Sequence, residues 1–359
     1  MRLERVELVQ VAVPLAAPFR TGVSALSHCD SLLVRVDGGG VTGWGEVVAD
    51  TRPSYAPETL VTARHVLTDF LIPAVVGKDF AKVEDAVAQW AWVRGHPMAK
   101  AGLELALWDW WGRATGKSVS ELLGGTRARV EVGVSVGVAE WTELKAMLER
   151  FQREGYARFK LKVTPRWLDK PLIAALVALG PSPQLAVDAN GTFQPEDTPL
   201  LRKLKGLQFV EQPLAWDDLV QHAALRKAGG PPVCLDESIG SLAALESALA
   251  LEALDVLNVK PGRVGGLLAA KACLERAHAA GVETFVGGML ETAIGRAGNV
   301  ALASLSTVTL PSDLSASNRY FAQDLATPFV LGPQSTLAVP TGPGLGVEVD
   351  EAAVRRFER

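Results

Sequence analysis

Five short apolar runs, FKLKV (Phe159–Val163), LAVDAN (Leu185–Asn190), QFVEQP (Gln208–Pro213), VCLDES (Val233–Ser238) and LNVKP (Leu257–Pro261), each end in or carry a charge. The charges are Lys160 and Lys162, Asp188, Glu211, Asp236 and Lys260, and from Lys162 onward they are 26, 23, 25 and 24 residues apart. That step is the length of one strand, one loop and one helix. Five successive βα units would therefore deliver carboxylates and lysines to one end of a barrel.

Working outward, strand and helix patterns alternate from about residue 125 to about 305, with turns at Gly206, Gly229–Gly230 and Gly281 and a further helix stop at Gly180. VEVGVSVG (Val130–Gly137) reads as one strand. Leu144, Met147, Leu148 and Phe151 follow at helical spacing, ending at Gly155. Seven or eight such units favour a closed barrel over an open sheet. Before it, residues 1 to about 50 read as an antiparallel meander with a turn-rich loop from Pro18 to Asp30, and residues 57–124 read as helices. The expected fold is α/β, a modified TIM barrel of the (β/α)7β type: a capping α+β domain over 1–124, the barrel over 125–325, and a tail over 326–359 that returns to the first domain.

Composition narrows the classes. The chain has 359 residues, 48% hydrophobic and 21% charged, with a net charge of −4. Nothing there points to nucleic acid or an anionic membrane. The N-terminus alternates like a strand and carries charges, unlike a signal peptide, and no apolar run has the length of a membrane span. Cys29, Cys234 and Cys273 show no CxxC spacing. A cytoplasmic protein is the expectation.

In FKLKV, Phe159, Leu161 and Val163 point one way and the two lysines the other. An isolated strand would leave such lysines in solvent. In a closed barrel they face the interior near the mouth, where Asp188, Glu211 and Asp236 are supplied. Each acid alone would be read as a helix cap; three in consecutive units suit Mg²⁺, or another hard divalent cation such as Mn²⁺. No histidine lies in these strand ends, so zinc is disfavoured. A metal flanked by lysines suits removal of a proton α to a carboxylate, the metal stabilising the enediolate and Lys162 acting as base. Such a base needs its pKa lowered by roughly 3 units. Repulsion from Lys160, about 7 Å away along the strand, supplies roughly 2.4 kcal/mol of that, and burial must supply the rest.

The order KxK, VDAN, EQP, LDES, NVKP resembles the muconate-lactonising subgroup of the enolase superfamily, and GWGE (Gly43–Glu46) is similar to its capping domain. HPMAKAGLELALWD (His96–Asp109), GVSVG (Gly133–Gly137), EQPLAWDDL (Glu211–Leu219), GGMLETAIGRA (Gly287–Ala297) and DLSASNRYF (Asp313–Phe321) resemble the o-succinylbenzoate synthase / N-succinylamino acid racemase branch. The resemblance implies Mg²⁺ on Asp188, Glu211 and Asp236, with Lys162 and Lys260 facing each other across the substrate. It implies that Lys160 neutralises the substrate carboxylate and that Ser135, Asn190, Gly287 and Met289 line the pocket. It also implies a small carboxylate substrate, a homo-oligomer, and either dehydration toward menaquinone or racemisation of N-acylamino acids. Glu237 is read as a supporting acid or as a helix cap. Departures at Thr21–Ser24 and Ala49 put side-chain preference in those loops. Dipeptide epimerisation is a third reading. Mandelate-type chemistry is disfavoured, since the seventh strand offers no histidine. A Schiff-base aldolase and a non-catalytic barrel are the readings from other classes.

Overall fold

The computed structural model describes residues 1–20, 25–137, 141–167, 184–204 and 206–359. Thr21–Ser24 and Gly180 lie outside the described residues.

The chain opens with an antiparallel sheet of β1 (Arg5–Arg20), β2 (Ala25–Gly38) and β3 (Val41–Val47), in that order. Gly39 and Gly40, at φ +60° and +74°, make the β2–β3 turn that other residues strain to adopt. The loop expected from Pro18 to Asp30 is largely strand instead. Asp30 pairs with Ala12, Cys29 with Val13 and His28 with Pro14, and after an irregularity Phe19 pairs with Leu26. Polar side chains on one face of a hairpin look like a loop in sequence, but they are the solvated side of a strand.

GWGE sits on β3 and has a packing reason. Gly43 and Gly45 face the helix Pro97–Thr115 so closely that a Cβ would lie 2.4 Å from the Trp110 nitrogen and 2.2 Å from the Gly102 oxygen. Glu46 points the other way, toward the barrel. There it accepts from Thr292 N (3.1 and 3.2 Å), Thr292 Oγ1 (2.7 Å), Gly295 N (2.9 Å) and Ser31 Oγ (2.9 Å). A carboxylate from the first sheet thus caps the helix Ala293–Ala303.

VEVGVSVG is not one strand. It splits at Gly133 into β4 (Arg129–Glu131) and β5 (Val134–Val136). Gly133 is where Arg158 passes: a Cβ would stand 2.4 Å from the Arg158 Cδ. β5 starts a parallel sheet that continues through β6 (Arg158–Lys162), β7 (Gln184–Asp188), β8 (Val210–Glu211), β9 (Val233–Leu235), β10 (Val256–Val259) and β11 (Glu283–Val286), in sequence order. Residues 309–313 close the ring. Thr309 N and Leu310 N donate to Thr284 O (3.0 Å each), and Asp313 N donates to Val286 O (2.9 Å). On the other side Ser312 N donates to Glu131 O and Gly133 N to Ser312 O (2.8 Å each). Seven parallel strands and this closing segment make the barrel, of the (β/α)7β type.

The tail supplies β12 (Thr336–Ala338), which pairs with β4. It then runs back to the first domain, where Leu345 N donates to Asp109 Oδ1 (2.7 Å) on the helix Pro97–Thr115 and Arg359 N to Gln10 O (3.0 Å) on β1. Among the described residues no helix is long and apolar enough to cross a membrane.

Candidate active site

Inside the barrel the two-residue period of the strands builds layers. Ala186, Phe209, Cys234, Val256 and Phe285 form one apolar layer, with Phe209 and Phe285 stacked 5.4 Å apart. Two residues further along the same strands stand Asp188, Glu211, Asp236, Asn258 and Gly287. One step beyond Asn258 in that period is Lys260. In register, Lys160 lies beside Ala186 and Lys162 beside Asp188. The charges that end the apolar runs are therefore one ring of side chains at the C-terminal mouth.

The three acids are 0–1% exposed, and buried carboxylates need compensation. Lys160 Nζ contacts Glu211 (2.8 and 2.9 Å), Asp188 (3.3 Å) and Asp313. Lys162 Nζ donates to Asp188 Oδ2 (2.6 Å) and Asn190 Oδ1 (2.7 Å). Lys260 Nζ donates to Asp236 Oδ2 (2.8 Å) and meets Tyr55 OH at 3.1 Å, lying 4.5 Å above that ring. Arg263 also pairs with Asp236. Burial alone would push Asp188 up, yet Lys162 and Lys160 hold it at about 2. Burial likewise works to lower Lys162, but Asp188 and Glu211 outweigh it and hold the ammonium above its ordinary value. The depressed lysine expected from the sequence is thus absent while Asp188 keeps its full charge beside it.

A cavity of about 340 Å³ opens above this ring. Lys160, Lys162, Asn190, Lys260, Ser135 and Met289 are in its wall. Gly287 is not; its neighbour Gly288 is. A Cβ at Gly287 would stand 2.1 Å from Asn258 Oδ1 and 2.8 Å from Lys260 Cε, so this glycine makes room for Lys260 instead. Ala49 is buried beside the cavity, not in its wall, and Asp50 takes that place. Asn190, at φ +43°, holds Lys162 with its oxygen and donates from Nδ2 to Glu237 Oε1 (2.8 Å). Burial, then Asp236 and Asp188, push Glu237 up to about 8.

Several residues escaped the sequence reading. Asn258, which donates to Glu211 Oε1 (2.9 Å), carried a signal: it lies two residues before Lys260 on the same face. Asp313 stood in a motif to which no role was given. Tyr55 and Asp50 arrive from the first domain and had no local signal.

Asp188, Glu211 and Asp236 form an all-oxygen, all-anionic donor set on three adjacent strands, which fits a hard divalent cation. Among the described residues no group of acids is drawn together into a preformed metal cage. Each acid is turned to an ammonium, which a cation would replace.

The chain matches the enolase C-terminal domain-like family over residues 143–353 and the mandelate racemase / muconate lactonizing enzyme N-terminal domain over residues 4–124. It is 40% identical over 363 residues to an o-succinylbenzoate synthase from Bacillus subtilis, covering 99% of this chain and 97% of that one. It is 43% identical over 353 residues to an N-succinylamino acid racemase from an Amycolatopsis species, covering 97% and 95%. A solved member of the enolase superfamily from Listeria innocua superposes with a TM-score of 0.96 at 34% identity, covering 100% of this chain and 98% of that one. A parallel barrel with a charged mouth under an α+β cap defines the class, a barrel enzyme. The chain belongs to the enolase superfamily, in its mandelate racemase / muconate lactonizing enzyme family. Members of this family generally depend on a divalent metal.

Proposed function

We propose that the chain is an o-succinylbenzoate synthase with N-acylamino acid racemase activity. In this reading Asp188, Glu211 and Asp236 hold Mg²⁺, and Lys162 and Lys260 move the α-proton of a small carboxylate substrate. The supporting observation is that the two lysines come from β6 and β10, four places apart in a ring of eight, and line one cavity. A substrate between them is reached from opposite faces.

The bound cation would supply positive charge for the enediolate that develops on the substrate carboxylate. Lys160, set among Glu211, Asp188 and Asp313, adds a fixed positive charge at that end. With the Asp188 and Glu211 charges shared by a bound cation, the attraction that holds Lys162 above its ordinary value would weaken, and burial would draw it toward a working base. In dehydration Lys162 takes the α-proton and returns it to the departing hydroxyl, so that water leaves. Lys260 then stays protonated and steadies the anion. In racemisation the Lys260 ammonium delivers its proton on the far face, and the two lysines exchange protonation states.

The test is a pair of assays on Mg²⁺-loaded protein: dehydration of the cyclohexadiene-carboxylate precursor of o-succinylbenzoate, and α-deuterium exchange of N-succinylamino acids. Lys162→Ala and Lys260→Ala should each lower dehydration by about 10²-fold or more. Lys260→Ala should lose exchange with one enantiomer in preference to the other. Wild-type rates after either change would sink the assignment.

A further inference from the structure

The strands of the barrel run out at the acids of its mouth. β8 ends at Glu211 and β9 at Leu235, so Asp236 lies one residue past its strand. Its N–H donates to a side chain, Gln212 Oε1 (3.1 Å), which also accepts from Ser238 N (3.2 Å). From the same amide, Nε2 donates to Ser238 Oγ (2.7 Å) and Leu214 O (3.2 Å). A carboxamide has two donors and an acceptor oxygen with two lone pairs, and this buried one uses them all. The Gln212 backbone is held as well: its N donates to Cys234 O (2.9 Å), and its O accepts from Gly191 N (2.8 Å). One residue is thus tied to the chain beside each acid. It follows Glu211, holds the N–H of Asp236, and receives the N–H three residues after Asp188.

Gln212 has φ +37°, in the left-handed region that glycine adopts at less cost. Glycine there would relieve the backbone but give up all four side-chain bonds. Such strain persists where the surroundings fix it, and here the fixed element is the amide between β8 and β9. Three buried carboxylates repel one another, while Mg²⁺ demands near-ideal octahedral geometry. The two residues of β8 give little rigidity on their own. The Gln212 amide continues the ladder for one further step and sets the distance between Glu211 and Asp236.

We infer that Gln212 is a positioning residue for the cation, holding the three acids at the spacing that a divalent ion needs. This rests on the cation site of the proposed function.

The test is the Kd of the full-length protein for Mn²⁺ alone, read from the free Mn²⁺ signal in electron paramagnetic resonance, with Mg²⁺ as competitor. Gln212→Met keeps the length of the side chain and removes its hydrogen bonds, so Kd should rise by about 10- to 100-fold. Gln212→Glu keeps an acceptor for Asp236 N and Ser238 N and should stay close to wild type. Gln212→Asn tolerates the positive φ but is one methylene too short; it should weaken binding as methionine does, and it serves if the methionine variant does not fold. Circular dichroism and urea unfolding accompany each Kd. Lower stability with an unchanged Kd makes Gln212 a brace of the loop and overturns its role toward the cation, as does equal weakening in the glutamate and methionine variants. Wild type that binds no Mn²⁺, or binding that survives in Asp236→Ala, overturns the cation site itself.

Discussion

Replacing Glu46 by alanine tests whether GWGE latches the first domain to the barrel. Four groups donate to this carboxylate: Ser31 Oγ, Thr292 N, Thr292 Oγ1 and Gly295 N. In the variant Ser31 keeps an acceptor in Val47 O (3.2 Å), and the Thr292 hydroxyl still receives Ile294 N (3.3 Å). The backbone N–H groups of Thr292 and Gly295 lose theirs, in a region closed to solvent. An orphaned buried donor costs about 1–3 kcal/mol, so the two fixed backbone donors cost roughly 2–6 kcal/mol, and the Thr292 hydroxyl proton, which also loses its acceptor, adds to that. Removing a carboxylate that burial has pushed upward returns part of that, which leaves a net loss of about 2–4 kcal/mol. Equilibrium urea unfolding of wild type and Glu46→Ala measures it. Thr292 follows Met289 and Leu290 of the cavity wall, so KM should rise as well. A stability change under about 0.5 kcal/mol, the size of an ordinary surface substitution, would refute the latch.

Three further outcomes are expected. Asn190→Ala should lower kcat by about tenfold through loss of the Lys162 and Glu237 contacts, and Asn190→Gly, which relieves the positive φ, should recover stability in urea without recovering kcat; full activity in either variant would end this role. Glu104 is buried and burial pushes it from 4.5 to about 7, so between those pH values the folded state holds a proton that the unfolded chain has lost. Stability should fall by about 3 kcal/mol as pH rises through that window, and less so in Glu104→Gln; urea midpoints from pH 4.5 to 7 that run parallel in the two proteins would contradict it. Chelation by EDTA should abolish both proposed activities, with recovery on adding Mg²⁺ or Mn²⁺, while the urea midpoint moves little because ammonium groups answer Asp188, Glu211 and Asp236; a collapse of the fold on chelation would contradict that charge pairing.

Much of the barrel was legible because strand chemistry repeats. The step from Asp188 to Glu211 to Asp236 to Lys260 records one βα unit each, and a period of two puts each of the three acids one layer above a small or aromatic interior residue. The same local logic failed where the chain answers to a distant partner. VEVGVSVG is uniformly strand-like, but Gly133 breaks it because Arg158 occupies the space, 25 residues on. Gly287, given a pocket place by the family resemblance and not by any local pattern, leaves by its absent side chain the room that Lys260 occupies.

By itself the sequence determined the unit length, the inward face of each strand and the identity of the mouth charges, since these follow from periodicity and side-chain type. Tertiary structure alone decided which charges meet. Ring closure by residues 309–313 sets Lys162 opposite Lys260, and the fold of the first domain brings Tyr55 to Lys260 and Asp50 to the cavity. Those contacts span up to 205 residues of sequence. They arise because elements far apart in the chain fold onto one mouth, and no local pattern encodes where those elements will meet.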